Sequence, residues 1–203
     1  NEIINFKTVL FYIFAPLLEQ ARVRSKRNAK KVKQELKRLR VDHRIIEEPS
    51  RPTTLKIRYM VDNQKIFRVS RLKEHSLPPT IEKQVINEIK RIAPQVSGIL
   101  VSDFVYGMIT SRVLETIHAV ADRHHLLLFG DLQCSSQIGN IGKFKDFNLL
   151  CPTEREARIA LDAREDGLEW IANTLIDKTK SDNIVMKLGA DGFIAYETKP
   201  NGF

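Results

Sequence analysis

The chain contains few of the residues that cross-link small folds. Its 203 residues include two cysteines, Cys134 and Cys151, which do not form a Cys-x-x-Cys pair. Two separated thiols exclude a disulfide-stapled scaffold and are typical of a reducing compartment. We therefore expect a cytoplasmic protein. A chain of this length buries roughly 70% of the surface that its unfolded form exposes, which is enough for a hydrophobic core.

Long hydrophobic runs and several enzyme signatures are also absent. The apolar-rich segment from Ile3 to Leu18 is interrupted by Lys7 and Pro16, and it is shorter than the roughly 20 residues of a spanning helix. We therefore expect no membrane association. The chain has no Gly-x-Ser-x-Gly elbow and no Gly-x-x-x-x-Gly-Lys-Ser/Thr loop, which disfavours serine hydrolases of that type and Walker-type NTPases. The five histidines lack partners at metal-ligand spacing.

Positive charge is concentrated in one segment. Between Arg22 and Arg44 there are eleven lysines and arginines against two acidic residues, whereas the rest of the chain has a net charge of −1. We interpret the segment as an amphipathic helix with a basic, solvated outer face. Nucleic-acid binding by this helix is an alternative, but no aromatic residues are interleaved for base stacking. The predicted apolar face contains Ala29, Val32, Leu36 and Leu39.

The remaining chain has two different hydrophobic rhythms. Residues 53–69 alternate apolar and polar positions around a turn at Asp62-Asn63-Gln64, which predicts a two-stranded antiparallel ribbon. From Pro78 onward, continuous apolar runs alternate with helical patterns, the first of which Thr80 can cap. Uninterrupted apolar strands between amphipathic helices are typical of parallel strands covered on both faces. The predicted fold is therefore α/β, with a doubly wound, mostly parallel sheet and a small β flap.

Polar residues follow each predicted strand of the sheet. The strands end at Ser102-Asp103, Gly130-Asp131, Cys151-Pro152-Thr153 and Lys187 to Gly192. Ligands of such sheets bind outside the carboxyl ends of the strands, so these residues predict a site at that edge.

Two of these strand ends allow two interpretations each. Thr153-x-x-Glu156 has the spacing of a capping box, which is the favoured interpretation, but its carboxylate could also hold metal-bound water near phosphates. The Gly189-Ala-Asp-Gly192 segment fits an ordinary turn between two strands, or a backbone surface that a nucleotide can approach closely. Lys187 before it could donate to a phosphate.

Together these motifs, in this order, resemble the ribokinase-like (PfkB-type) sugar kinases, and within them the heptose-7-phosphate kinase domain of ADP-heptose synthases. The resemblance covers roughly residues 30–203. It rests on the following segments: Lys56-Ile-Arg58, Asn63 to Arg68, Ser102-Asp103-Phe104, Gly130-Asp131, Cys151 to Glu156 and Leu188 to Gly192.

The resemblance implies an ATP-dependent kinase that transfers a phosphoryl group to a sugar hydroxyl, with Mg²⁺ as the metal. It implies that Asp103 lies near the sugar and that Glu156 organises the metal through water. The implied sugar-phosphate contacts on the flap are Arg58, Asn63, Gln64 and Arg68, and the implied nucleotide contacts are Thr153, Lys187, Gly189 and Gly192. Homodimerisation through the flap is also implied.

The resemblance further divides the chain into three parts. Residues 1–52 contain the apolar segment and the basic helix, residues 53–70 the flap, and residues 71–203 an α/β nucleotide-binding core. The family's catalytic aspartate belongs to a Gly-Ala-Gly-Asp motif that these 203 residues lack. We expect that motif beyond Phe203, so the core is expected to be incomplete at its carboxyl terminus.

Several positions depart from the family pattern. Thr153 replaces a usual asparagine, Gln133 and Tyr106 replace usual lysines, and Lys187 replaces a usual threonine. An inactive family member that acts as a binding or assembly module is therefore the alternative to a kinase.

Overall fold

The computed structural model describes residues 10–14, 30–61, 64–71, 73–133 and 141–198. These residues pack as two compact units. The ribbon unit contains the described residues up to 88 together with 106–108, and the core unit contains those of 89–105 and 109–198. The three parts predicted from the sequence, with boundaries at residues 52 and 70, are not these two units. That division stays a prediction.

The ribbon unit contains two small sheets. Strand β1 (Leu10–Phe14) pairs in parallel with β2 (His43–Glu47), and helix α1 covers residues 30–38 between them. Strands β3 (Leu55–Val61) and β4 (Gln64–Arg71) form an antiparallel ribbon with an irregularity between Tyr59 and Met60. The predicted two-stranded ribbon is therefore confirmed.

The predicted apolar face of the basic helix is confirmed in part. Leu36 is buried, but Leu39 is 59% exposed because the helix has ended before it. The backbone N–H of Val41 donates to the carbonyl of Leu36, and Arg40 takes a left-handed conformation in the closing turn. Ala29 and the basic residues before it lie outside the described residues.

The core unit is built on a five-stranded sheet in the order β5-β6-β7-β8-β9. The first four strands are parallel and β9 is antiparallel to β8. This α/β fold with a mostly parallel sheet confirms the predicted fold class. The strands are β5 (Gly98–Asp103), β6 (Leu127–Leu132), β7 (Leu149–Leu150), β8 (Asn183–Lys187) and β9 (Phe193–Glu197).

Helices connect two pairs of the parallel strands. Helix α3 lies between β5 and β6, and α4 and α5 lie between β7 and β8. Alternate strand residues are buried, as the two-residue period of a strand requires: Val101, Leu128, Leu150, Ile184 and Met186. The helices are α2 (Pro79–Ile92), α3 (Ser111–His124), α4 (Glu154–Leu161) and α5 (Leu168–Thr179).

Helix α2 starts two residues earlier than a cap at Thr80 predicts. Its first residue is Pro79, and the expected cap Thr80 is the second residue of the helix. Proline is favoured at the first helical position because its missing N–H would have no intrahelical partner there. The carbonyl of Pro78 accepts hydrogen bonds from the backbone N–H groups of Ile81 and Glu82. No helix in the described part of the chain is long and apolar enough to span a membrane.

Candidate functional site

The parallel strands of the core unit all end at one edge of the sheet, and charged residues stand there. Asp103 is the last residue of β5, Asp131 the next-to-last of β6, and Lys187 the last of β8. Asp103 pairs with Leu132, one residue beyond Asp131, so the two carboxylates are directed to opposite faces of the sheet. This is the edge at which α/β sheets bind ligands.

Both carboxylate oxygens of Asp103 have partners. Its side chain is 1% exposed, and Oδ2 accepts a hydrogen bond from the ammonium of Lys143. Its Oδ1 accepts the backbone N–H of Val105 at 2.9 Å. Val105 has a φ of 62°, which is rare for a β-branched residue, so this hydrogen bond also supports a tight turn.

Asp131 forms a second lysine–carboxylate pair at the same edge. Its Oδ1 lies 2.6 Å from Nζ of Lys187, and both side chains are partly exposed. The charges of Asp131 and Lys187 both act on the pKa of the nearby Cys151 thiol. Burial raises the pKa of the Cys151 thiol, and Asp131 adds to this effect while Lys187 opposes it. The thiol is therefore protonated at neutral pH and is not a nucleophile.

Thr153 and Glu156 form the predicted capping box at the start of α4. The hydroxyl of Thr153 accepts the backbone N–H of Glu156 at 3.2 Å, and the carboxylate of Glu156 accepts the backbone N–H of Thr153 at 2.8 Å. Thr153 is also joined to Lys187 by an isolated parallel bridge. The start of α4 therefore lies beside the Asp131–Lys187 pair.

The glycine segment after β8 forms the turn of the β8–β9 hairpin. Gly189–Asp191 is a short 3-10 turn, and the carbonyl of Gly192 accepts the backbone N–H of Leu188 at 2.8 Å. Gly189 and Gly192 have φ values of 69° and 89°, which only glycine adopts readily. A Cβ added at either would meet no atom within 4 Å, so the backbone is open to approach.

The predicted ribbon residues are placed less completely. Arg58 in β3 is the register partner of Arg68 in β4, and Arg68 is exposed. Gln64 is the first residue of β4, while Asn63 lies outside the described residues.

The sequence motifs indicate neither Lys143 as a site residue nor the pairing of Asp131 with Lys187. The partners of the two pairs are 40 and 56 residues apart in the chain, so no local spacing in the sequence indicates these pairs. Within the described residues there is no group of three or more His, Cys, Asp or Glu side chains that could hold a metal ion. Magnesium does not need such a group, because it usually binds through one or two carboxylates, water and substrate phosphates. A water-mediated magnesium beside Glu156 and Asp131 fits that pattern.

Sequence comparison finds relatives that share one name. The chain is 30% identical over 151 residues to the bifunctional protein HldE of Geotalea uraniireducens, and 28% identical over 123 residues to that of Helicobacter acinonychis. These alignments cover 73% and 61% of this chain but only 30% and 26% of the relatives. The chain thus spans less than a third of the length of either relative. No family model matches the chain.

Solved structures show the same fold. Phosphofructokinase-2 from Escherichia coli, in complex with fructose-6-phosphate, matches 97% of this chain and 62% of its own with a TM-score of 0.66 and 11% identity. Ribokinase from Giardia lamblia matches 93% of this chain and 59% of its own with a TM-score of 0.67 and 14% identity. Taken with the strand-end motifs and the named relatives, these similarities show a ribokinase-like fold and make the chain similar to the ribokinase-like (PfkB-type) carbohydrate kinases.

Proposed function

We propose that this chain is part of an ATP-dependent phosphosugar kinase of the heptose-7-phosphate kinase type. The observation that carries the proposal is the charged edge of the core sheet. Two lysine–aspartate pairs and the start of α4 stand at the carboxyl ends of four parallel strands. Phosphoryl transfer needs little covalent chemistry from the protein, because positioning and cancellation of phosphate charge provide most of the catalysis.

Each predicted site residue has a proposed contact with the nucleotide, the sugar phosphate or the metal. Thr153, Lys187, Gly189 and Gly192 are the nucleotide contacts. Lys187 donates to a phosphate, while Gly189 and Gly192 let the backbone approach the nucleotide. Asp103 lies beside the sugar. Of the ribbon residues, Arg58, Asn63, Gln64 and Arg68 contact the sugar phosphate through their guanidinium and amide groups.

Glu156 is the proposed holder of magnesium, through water. Bound magnesium would neutralise charge on the transferring phosphoryl group. The N-terminus of α4 adds a partial positive charge at the same place. The capping hydrogen bond to Thr153 holds the carboxylate of Glu156 in a fixed orientation. No described residue is assigned as the base that accepts the sugar hydroxyl proton.

Nucleotide binding tests this proposal. At a concentration about 100 times Kd, ATP with magnesium should stabilise the chain by about 2.7 kcal/mol, which raises the melting temperature by about 5–10 °C. Lys187→Met should weaken nucleotide binding about tenfold and remove roughly 1.4 kcal/mol of that protection. Lys145→Met, an exposed lysine of the core unit, is the matched control. If neither ATP nor any sugar phosphate shifts melting of the wild-type chain, the kinase proposal fails.

A binding or assembly module is the second candidate. Thr153 in place of the family's asparagine favours it, because the threonine hydroxyl is already used by the helix cap. ADP release that depends on a sugar phosphate distinguishes the candidates, and it is best measured on the full-length protein. Protection by ATP without any ADP release would support the module.

We also propose that two copies associate through the ribbon. The register of β3 and β4 places Ile57, Tyr59, Phe67 and Val69 on one face, and each is 42–51% exposed. The rings of Tyr59 and Phe67 stack with centroids 4.3 Å apart, which makes the face flat and apolar. An exposed apolar face of this kind is typical of a protein–protein interface. The same face of a second chain offers a matching surface around a two-fold axis.

Charge on this face should abolish the association. Phe67→Asp should convert a dimer to a monomer in sedimentation velocity, because a carboxylate would be buried without a partner. Ser70→Asp is the matched control: Ser70 is exposed and follows Val69 in the regular part of β4, so it lies on the opposite face and should leave the dimer intact. A wild-type chain that sediments as a monomer at all concentrations would contradict the proposal.

A further inference from the structure

The lysine–carboxylate pair at the end of β5 is built differently from an ordinary surface ion pair. Asp103 is 1% exposed and Lys143 is 31% exposed. The two oxygens of Asp103 are taken by Lys143 and by the backbone N–H of Val105. A ligand that reaches this end of the strand therefore meets the ammonium of Lys143 and not the carboxylate.

From this geometry we infer that Lys143 is a phosphate-binding residue and that Asp103 is its positioning residue. The ligand class is a phosphate dianion, either free or as a monoester. The inference rests on the proposed function and deepens it, because it adds a cation that the strand-end motifs did not reveal. The ammonium has three N–H donors, and Asp103 is its one hydrogen-bond partner within the described part of the chain.

The position of the pair supports a role in binding. Asp103 and Asp131 are directed to opposite faces of the sheet, so Lys143 and Lys187 carry positive charge to the two sides of one edge. A phosphoryl donor and a phosphorylated acceptor each bring negative charge to such an edge. Two separate lysines, each oriented by a carboxylate, would neutralise that charge without an isolated buried cation.

Stability alone is a weak reason for the pair. Well-packed apolar residues of similar volume are often as stable as a buried ion pair, whereas removal of one partner leaves the other charge uncompensated. A pair with a buried carboxylate and a partly exposed ammonium, at the ligand-binding edge of a sheet, is therefore better explained by function. The 3-10 turn Ile141–Lys143 supports this view, since Ile141 and Phe144 are fully buried and fix the backbone on both sides of Lys143.

Binding of inorganic phosphate tests the inference. In the wild-type chain, phosphate should raise the melting temperature above that in chloride at the same ionic strength, and Lys143→Met should weaken phosphate binding at least about tenfold. Lys143→Arg should restore most of the affinity, because arginine keeps a charge that can reach Asp103 and phosphate. Lys145→Met is the control for loss of one positive charge nearby, and it should bind phosphate like the wild type.

A second variant guards against misfolding. Lys143→Met leaves Asp103 buried without its cation, so the double variant Asp103→Asn with Lys143→Met removes both charges together. It should fold and should still lack the phosphate response. An unchanged phosphate response in a folded Lys143→Met or double variant would show a purely structural ion pair and overturn the inference. If ATP with magnesium still raises the melting temperature of such a folded variant, the kinase proposal stands. If ATP fails while phosphate binding depends on Lys143, only the kinase proposal falls.

Discussion

Replacing Arg51 by methionine is expected to lower the free energy of unfolding by about 3–5 kcal/mol at neutral pH. Arg51 and Glu48 form a fully buried pair in the ribbon unit, with Nε of Arg51 2.6 Å from Oε2 of Glu48. The guanidinium also donates to the backbone carbonyls of Lys73, His75 and Tyr106. Methionine fills a similar volume but leaves a buried carboxylate and these carbonyls without their donors.

Acid should reduce this effect. Burial by itself would raise the pKa of Glu48, but hydrogen bonds from Ser50, Arg51 and His75 outweigh it and lower the pKa below its ordinary value. Because the folded pKa is the lower one, the ion pair stabilises the fold fully above the unfolded pKa of about 4.3. That stabilisation is lost as the pH falls from there through the folded pKa.

Urea unfolding at pH 7 and at pH 4 measures both expectations. Wild type and Arg51→Met should differ most at pH 7 and less at pH 4. Arg38→Met is the control, because Arg38 forms an exposed pair with Glu35 that should contribute no more than about 1 kcal/mol. Equal unfolding free energies of Arg51→Met and wild type at pH 7 would show that the buried pair does not stabilise the fold.

Alanine at position 107 is expected to destabilise the chain by about 2–5 kcal/mol. Gly107 has a φ of 82°, and a Cβ there would lie 2.1 Å from the carbonyl oxygen of His75. An L-residue in this conformation costs roughly 1–2 kcal/mol, and forced overpacking costs typically 1–3 kcal/mol more. The same carbonyl accepts a hydrogen bond from Arg51, so the backbone at His75 cannot move away without cost.

Two other glycines separate the cost of the backbone conformation from the cost of the steric clash. Gly189→Ala has the backbone strain without the clash, since its φ is 69° and no atom lies within 4 Å of the added Cβ. Gly167→Ala has neither, but Gly167 is the N-cap of α5, where alanine is less favourable than glycine, so the loss should be no more than about 1 kcal/mol. Denaturant unfolding should rank the losses as Gly107, then Gly189, then Gly167. A Gly107→Ala chain no less stable than Gly189→Ala would contradict the predicted clash.

Secondary structure was predictable where the apolar pattern was long and regular. The apolar run at 98–103 predicts a strand and the pattern at 154–161 predicts a helix, and β5 and α4 have these limits. The ribbon follows its alternating pattern. The apolar run from Phe147 to Cys151 predicts a five-residue strand, but β7 has only two residues. Pro152 has no N–H to extend the pairing beyond Cys151. On the other side, the side-chain oxygen of Asn148 accepts the backbone N–H of Leu128, and the backbone carbonyl of Asn148 accepts the side-chain amide of Asn183, so side chains hold the approach to the strand.

The edge of the sheet was predictable as a site, but its electrostatics were not. A hydrophobic run shows where a strand ends, and the polar residues after it show that the end faces water. Nothing in the spacing of Asp103 shows that Lys143 will neutralise it, or that Glu48 and Arg51 will be buried together. The sequence pattern around a charged residue does not distinguish a solvated side chain from one that is paired.

Local sequence therefore decided the strands, helices and turns of this protein, because backbone preferences and apolar periodicity act over a few residues. Tertiary structure alone decided which charges meet, because those partners are separated by up to 56 residues and come together only when the sheet assembles. The burial of Asp103 and the exposure of Lys143 belong to that second group. So does the close approach of Gly107 to His75, since two distant backbone segments must pack before a side chain becomes forbidden there.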